Sequence, residues 1–184
     1  MATFPLKSLK PKFIKPEILL HPNIPKPLHG LNPRTILGQK WWDEQRQIAY
    51  AKNNYCCWAC GAYKHDAKYH RWLEAHEFYQ YDYKKGEAKL IEIVALCHAC
   101  HNYIHSGRMM MLVAKGEMSE IKMIEILTHG KEILKTTKII KPEISDVADW
   151  KDWHIIIDGE SYYTQFSSIE DWKEHYGDND HRSK

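Results

Sequence analysis

Two cysteine pairs of identical spacing constrain this chain more than any other feature. Cys57-Trp58-Ala59-Cys60 is followed, after 36 intervening residues, by Cys97-His98-Ala99-Cys100. Each C-x-x-C pair offers two sulfurs from one tight turn, and four thiolates complete a tetrahedral Zn²⁺ site. A single such pair also serves redox chemistry, but no thioredoxin-like alternation surrounds either one. The sequence therefore assigns Cys57, Cys60, Cys97 and Cys100 to one structural zinc. Cys56 fits the set only by spoiling the two-residue gap and reads as a spare thiol.

Histidines beside the hooks exceed what that site can use. His101 and His105 are four apart, so on a helix they share one face. His76 lies in Leu73-Glu74-Ala75-His76-Glu77-Phe78, between the hooks. Three imidazoles round an ion leave a position open for water or substrate, the arrangement of a catalytic metal. Imidazole suits Zn²⁺ or Ni²⁺, and Mn²⁺ or Mg²⁺ also support hydrolysis at such sites, so the second divalent metal is one of these four. His21, His65, His70, His129, His175 and His181 read as ordinary polar surface residues.

The spacing of apolar residues predicts an α+β chain. Seven of the eight prolines fall within the first 33 residues, which fixes φ and removes backbone donors, so residues 1–39 read as an extended arm. Phe4, Phe13, Ile14, Ile18, Leu19, Leu20, Ile24 and Leu28 give that arm apolar groups with which to dock. A helix is predicted from Lys40 to Asn53, stopped by Asn53-Asn54. Strands are predicted over residues 71–79 and 90–96, joined by a turn at Lys84-Lys85-Gly86-Glu87. A helix follows from His98 to His105, ended by Ser106-Gly107. Residues 40–115 thus form the metal-bearing domain. Residues 116–141 read as a helical segment, with one or two helices over Met118–Thr137 and a break at His129-Gly130. Beyond Pro142, residues 142–184 read as an acidic tail holding a β-hairpin with Asp158-Gly159 at its turn and a helix capped by Ser168. Trp150, Trp153 and Trp172 are expected as core or docking residues.

Charge narrows the partners. The net charge of +2 conceals a basic arm, in which Lys7, Lys10, Lys12, Lys15, Lys26, Arg34 and Lys40 face Glu17 alone over residues 1–42. A basic arm ahead of a metal-bearing core suits a polyanion, since phosphate neutralisation dominates non-specific nucleic-acid affinity. No run of about 18 apolar residues occurs, so no membrane span is expected. Met-Ala-Thr-Phe-Pro-Leu-Lys-Ser at the start lacks the apolar stretch of a secretory signal. Cysteines in metal-type rather than disulfide-type spacing point to a reducing, cytoplasmic location.

Taken together, residues 41–108 resemble the HNH endonuclease family in its zinc-hook form. The resemblance rests on the Trp41–Tyr50 helix, on Tyr55-Cys56-Cys57-Trp58-Ala59-Cys60-Gly61, and on Leu96-Cys97-His98-Ala99-Cys100-His101 with His105. It implies a small ββα-metal core, metal-dependent hydrolysis of DNA phosphodiester bonds, and a compact plan like that of phage proteins. On the family's pattern the apolar positions fit when His76 takes the metal-ligand place and Glu77 that of the general base. The other register makes His76 the base and leaves Ala75 at the ligand position. The family's asparagine before the second hook falls near Glu92. Glu77 as a metal ligand is a further reading of the same resemblance. Arg108, Lys84 and Lys85 are candidate phosphate contacts. Glutamate in place of histidine also keeps open a catalytically silent nucleic-acid-binding or adaptor protein on the same fold.

Overall fold

A computed structural model of the chain describes residues 9–135, 137 and 147–176. Among these residues it is a mixed α+β fold in which a four-stranded sheet carries five α-helices. Phe4, Lys7, Pro142 and His181 lie outside the described residues, as do the ends of the helical and tail segments expected from the sequence.

The arm is less extended than its prolines imply. Short 3₁₀ turns form at Pro16–Leu20 and Lys26–Leu28, and Ile18, Leu19 and Leu28 are buried. Asn53, fully buried, straps the arm down. Its Oδ1 accepts the backbone N–H groups of Lys12 and Phe13 at 2.8 and 3.1 Å, and its Nδ2 donates to the Phe13 carbonyl at 3.1 Å. Helix α1 (Pro33–Lys52) begins seven residues before the Lys40 expected from the sequence. Pro33 opens it, and Asn32 and Thr35 cap it reciprocally, as proline at the first helical position and a capping box favour. Gly38, at φ 87°, interrupts the helix, so apolar periodicity revealed only its second half.

Strands β1 (Glu74–Asp82) and β2 (Glu87–Leu96) form an antiparallel hairpin with a bulge between Phe78 and Tyr79. The first hook packs against the end of this hairpin: Trp58 N–H donates to the Ala95 carbonyl at 2.8 Å, and its ring nitrogen to the Ala49 carbonyl at 3.1 Å. Helix α2 (His98–Ile104) starts directly after β2. Ser106-Gly107 does not end the helical region. The chain turns at His105 and enters α3 (Ser106–Ala114) at once.

Helix α4 (Glu120–Leu134) runs without a break at His129-Gly130. Gly130 serves close approach instead, since a Cβ there would lie 2.2 Å from the Tyr103 ring on α2. The hairpin of β3 (His154–Ile157) and β4 (Glu160–Tyr163) turns at Asp158 and Gly159, both at positive φ, as the Asp-Gly pair predicts. It does not stand apart as a tail, because β3 pairs parallel to β2 and completes the sheet in the order β1-β2-β3-β4. Helix α5 (Ile169–Tyr176) follows Ser168, whose hydroxyl accepts the Asp171 N–H at 3.2 Å. One core gathers the hooks, the site end of the hairpin and α2 to α4, and a second gathers Leu28, Tyr79, Trp153 and Ile155. Trp153 and Trp172 are buried. No helix among the described residues is long and apolar enough to cross a membrane.

Candidate metal centres

The two hooks meet as their spacing predicts. Sulfurs of Cys57, Cys60, Cys97 and Cys100 lie within 4.8 Å of one another, and Cys60 and Cys97 are 3.8 Å apart. Tetrahedral ligands with Zn–S bonds near 2.3 Å have sulfurs separated by about 3.8 Å. The donor set therefore fits a zinc ion. Tight turns hold it: Cys57 N–H donates to the Ala62 carbonyl and Gly61 N–H to the Cys57 carbonyl, while Cys97 and Cys100 open α2. Burial opposes ionisation of Cys57, but hydrogen bonds from Cys100, Cys60 and Cys97 draw it below its ordinary value, and those same contacts push Cys100 up. Four such thiols ionise together only beside a cation. Cys56 stays outside the set, donating to the carbonyls of Leu9 and Asn54.

A second group forms where β1 faces α2. Ligand atoms of His76, His101 and His105 fall within 4.8 Å of one another. His76 is 3 % exposed, and its Nδ1 faces His105 Nε2 at 3.2 Å. Two nitrogens sharing an ion through bonds near 2 Å are about 3.3 Å apart at the tetrahedral angle. Burial, chiefly, lowers His76 well below the ordinary histidine value and His105 to about 3, with neighbouring histidines adding to both shifts and Arg108 to that of His105. Both rings are thus neutral near pH 7, the state a metal ligand needs.

Glu74 orients the third histidine. Its Oε2 lies 2.5 Å from His101 Nδ1 and its Oε1 2.7 Å from His98 Nδ1. Burial opposes its ionisation, yet the hydrogen bonds from His101 and His98 hold the carboxyl far below the usual range. A carboxylate on one nitrogen of a histidine leaves the other nitrogen free for an ion. Glu74 and His76 share a face of β1 because strand side chains alternate, so the strand pattern contained this pairing although the reading of the sequence did not use it.

Glu77 lines a cavity of about 500 Å³ together with His76, His105, Arg108, Tyr79 and Tyr81. Burial pushes its carboxyl above the ordinary value. The hydroxyls of Tyr79 and Tyr81 are buried and make no hydrogen bond among the described residues. Of the three candidate phosphate contacts, only Arg108 reaches this cavity. Lys84 and Lys85 sit in the turn at the opposite end of the hairpin, with Lys85 held by Asp82. That turn is roughly 20 Å along β1 from His76 at about 3.3 Å per residue. Glu92 pairs with Lys52 of α1.

Three histidines expected at the surface do other things. His21 of the arm is buried, with Nδ1 3.1 Å from His76 Nε2 and Nε2 accepting the Tyr79 N–H at 3.0 Å. His129 Nε2 lies 3.5 Å from Cys100 Sγ, and His70 stands against Glu74 and His98. Apart from His70–Glu74, an i,i+4 pair formed through a loop, these contacts join residues 28 to 58 positions apart, so no local pattern announces them. No family model, curated protein or solved structure matches the chain.

Proposed function

We propose that the protein is a metal-dependent DNA endonuclease of HNH type, hydrolysing phosphodiester bonds. The observation that carries this reading is the convergence of His76, His101 and His105 at the end of a hairpin–helix unit, beside a cavity lined by the half-buried Glu77 and by Arg108. His76, His101 and His105 would hold a divalent ion, with Glu74 orienting His101. Such an ion supplies Lewis-acid stabilisation of the charge that develops on phosphorus-bound oxygens. Glu77 takes the proton of the attacking water, and its raised pKa makes it a better base near neutral pH than an exposed glutamate. Arg108 offsets phosphate charge at the cavity. The basic arm adds affinity that is independent of sequence, although part of its charge covers aromatic rings, with Lys15 over Phe13 and Trp58 and Lys26 over Trp172.

Supercoiled plasmid incubated with the protein, with and without Zn²⁺, Ni²⁺, Mn²⁺ or Mg²⁺, tests the reading. Metal-dependent nicking that His101→Ala abolishes supports it. The second reading, a silent nucleic-acid-binding or adaptor protein, draws on glutamate at position 77. Retained, steeply salt-dependent DNA binding with no cleavage under any ion would establish that alternative instead.

A further inference from the structure

A second histidine–carboxylate cluster adjoins the histidine trio and shares Glu74 with it. His70 comes from the loop before β1, Glu74 opens β1, and His98 opens α2. One donor atom from each lies within 4.8 Å of the other two. Glu74 Oε1 is the shared point, 2.7 Å from His98 Nδ1 and 3.4 Å from His70 Nδ1.

His70 Nδ1 is the atom that a hydrogen-bonded cluster leaves unexplained. It is buried and makes no hydrogen bond among the described residues, although it faces a carboxylate oxygen at 3.4 Å. Burying such a nitrogen without a partner carries a desolvation cost that a bound group would remove. The ring is held there by stacking, on Trp72 at a centroid distance of 4.2 Å and against His98 at 4.0 Å. The two imidazoles, tilted at 46° to each other beside one carboxylate, keep a nitrogen of each close to the same oxygen. A hydrogen bond from His98 satisfies the carboxylate but does nothing for His70. A cation satisfies all three.

We propose that His70, Glu74 and His98 bind a divalent transition-metal ion of the Zn²⁺ class, separate from the ion of the histidine trio. Two imidazoles and one carboxylate form a donor set that suits Zn²⁺, Co²⁺ or Mn²⁺, with water completing the coordination. Side chains of His70, Glu74 and His98 are 31, 22 and 12 % exposed, so ion and water reach the cluster from solvent. Glu74 links this site to its neighbour, because its other oxygen accepts from His101. An ion on Oε1 withdraws charge from the carboxylate that orients His101, so occupancy of this site weakens the ion held by the trio.

Zinc content after dialysis of the full chain against micromolar Zn²⁺ tests the assignment, read by mass spectrometry of the metal. His70→Phe removes the nitrogen and keeps the ring that stacks on Trp72 and His98. Wild type is expected to hold three ions per chain, His70→Phe two, His105→Ala two, and the His70→Phe/His105→Ala double variant one. Zinc titration of His70→Phe should show tighter binding at the trio than in the wild type. Circular dichroism identical to wild type shows that the variants are folded. An equal count in folded wild type and folded His70→Phe overturns the proposal whatever the outcome of the cleavage assay, whereas an equal count in wild type and His105→Ala counts against the trio alone.

Discussion

His21 Nδ1 lies 3.1 Å from His76 Nε2, and the Tyr79 amide on the other side of His21 decides which way the proton between them points. A backbone N–H only donates, so His21 Nε2 accepts and the neutral ring carries its proton on Nδ1. That proton goes to His76 Nε2, which leaves His76 protonated on Nδ1, the nitrogen facing His105. The arm therefore favours the tautomer of His76 that must shift its proton before Nδ1 can take an ion.

Removing that restraint should strengthen ion binding. His21→Leu fills the space without a ring nitrogen and lets His76 carry its proton on Nε2. Zinc affinity of the trio, measured by competition with a chelating dye at pH 7, is expected to rise on the order of tenfold, the low end of what outer-shell partners of a ligand histidine do. The unpaired Tyr79 amide should lower stability by about 1–3 kcal/mol in the same variant. Equal or weaker zinc affinity would contradict the tautomer assignment.

The four-cysteine site should govern folding itself. Cys97→Ser leaves three sulfurs in a fully packed site, and structural zinc contributes its binding energy to the folded state. Insoluble or unfolded protein is expected, whereas Cys56→Ser, outside the set, should retain its zinc. A soluble Cys97→Ser protein with wild-type melting and no zinc would refute the assignment.

Acid should destabilise the protein before its carboxylates titrate in the ordinary range. Burial lowers His21 to about 4 and His105 to about 3 from 6.5. Below pH 6.5 the unfolded chain takes up protons that these folded rings refuse, so stability is greatest above 6.5 and falls as pH drops toward 4. Each group contributes a slope of up to about 1.4 kcal/mol per pH unit. Glu74, held low, acts in the same direction below its ordinary value. Denaturant midpoints at pH 7.5, 6 and 5 should decline in order, and the decline should be shallower in His21→Leu. A flat profile would show that these rings are not neutral in the folded state.

The hooks, the His101–His105 face, the Asp158-Gly159 turn and the Ser168 cap were legible because each is a local rule with a fixed spacing. What escaped was the chemistry that the tertiary fold adds. His21 looked like one more polar residue in a proline-rich arm, and only the docking of Ile18 and Leu19 into the core carries it to His76. Ser106-Gly107 has the composition of a helix stop, yet the stop is made by His105 and a new helix begins there. Glu74 belongs to no spaced motif, and its contacts to His98 and His101 cross 24 and 27 positions.

Gly130 should tolerate no side chain. A Cβ at 2.2 Å from the Tyr103 ring forces α2 and α4 apart or drives the ring from its rotamer, and overpacking of this kind costs about 1–3 kcal/mol. Gly130→Ala is expected to lower the melting temperature by several degrees despite the better helix propensity of alanine. Tyr103→Leu in the same chain should recover part of the loss. A melting temperature at or above wild type in Gly130→Ala would mean that α2 and α4 pack less closely here.

Glu77 decides between the two functional readings. Glu77→Gln preserves shape and removes the proton acceptor, so a base at this position should lose about 10²-fold or more in cleavage rate, with DNA affinity unchanged. Glu77→His is the sharper variant, because it supplies the residue that the resembled family places there. Cleavage by wild type that Glu77→Gln abolishes assigns the base. An inert wild type whose Glu77→His variant cuts identifies a binding protein derived from a nuclease. Full activity in Glu77→Gln would remove Glu77 from the proton transfer and return the role of base to another group in the cavity.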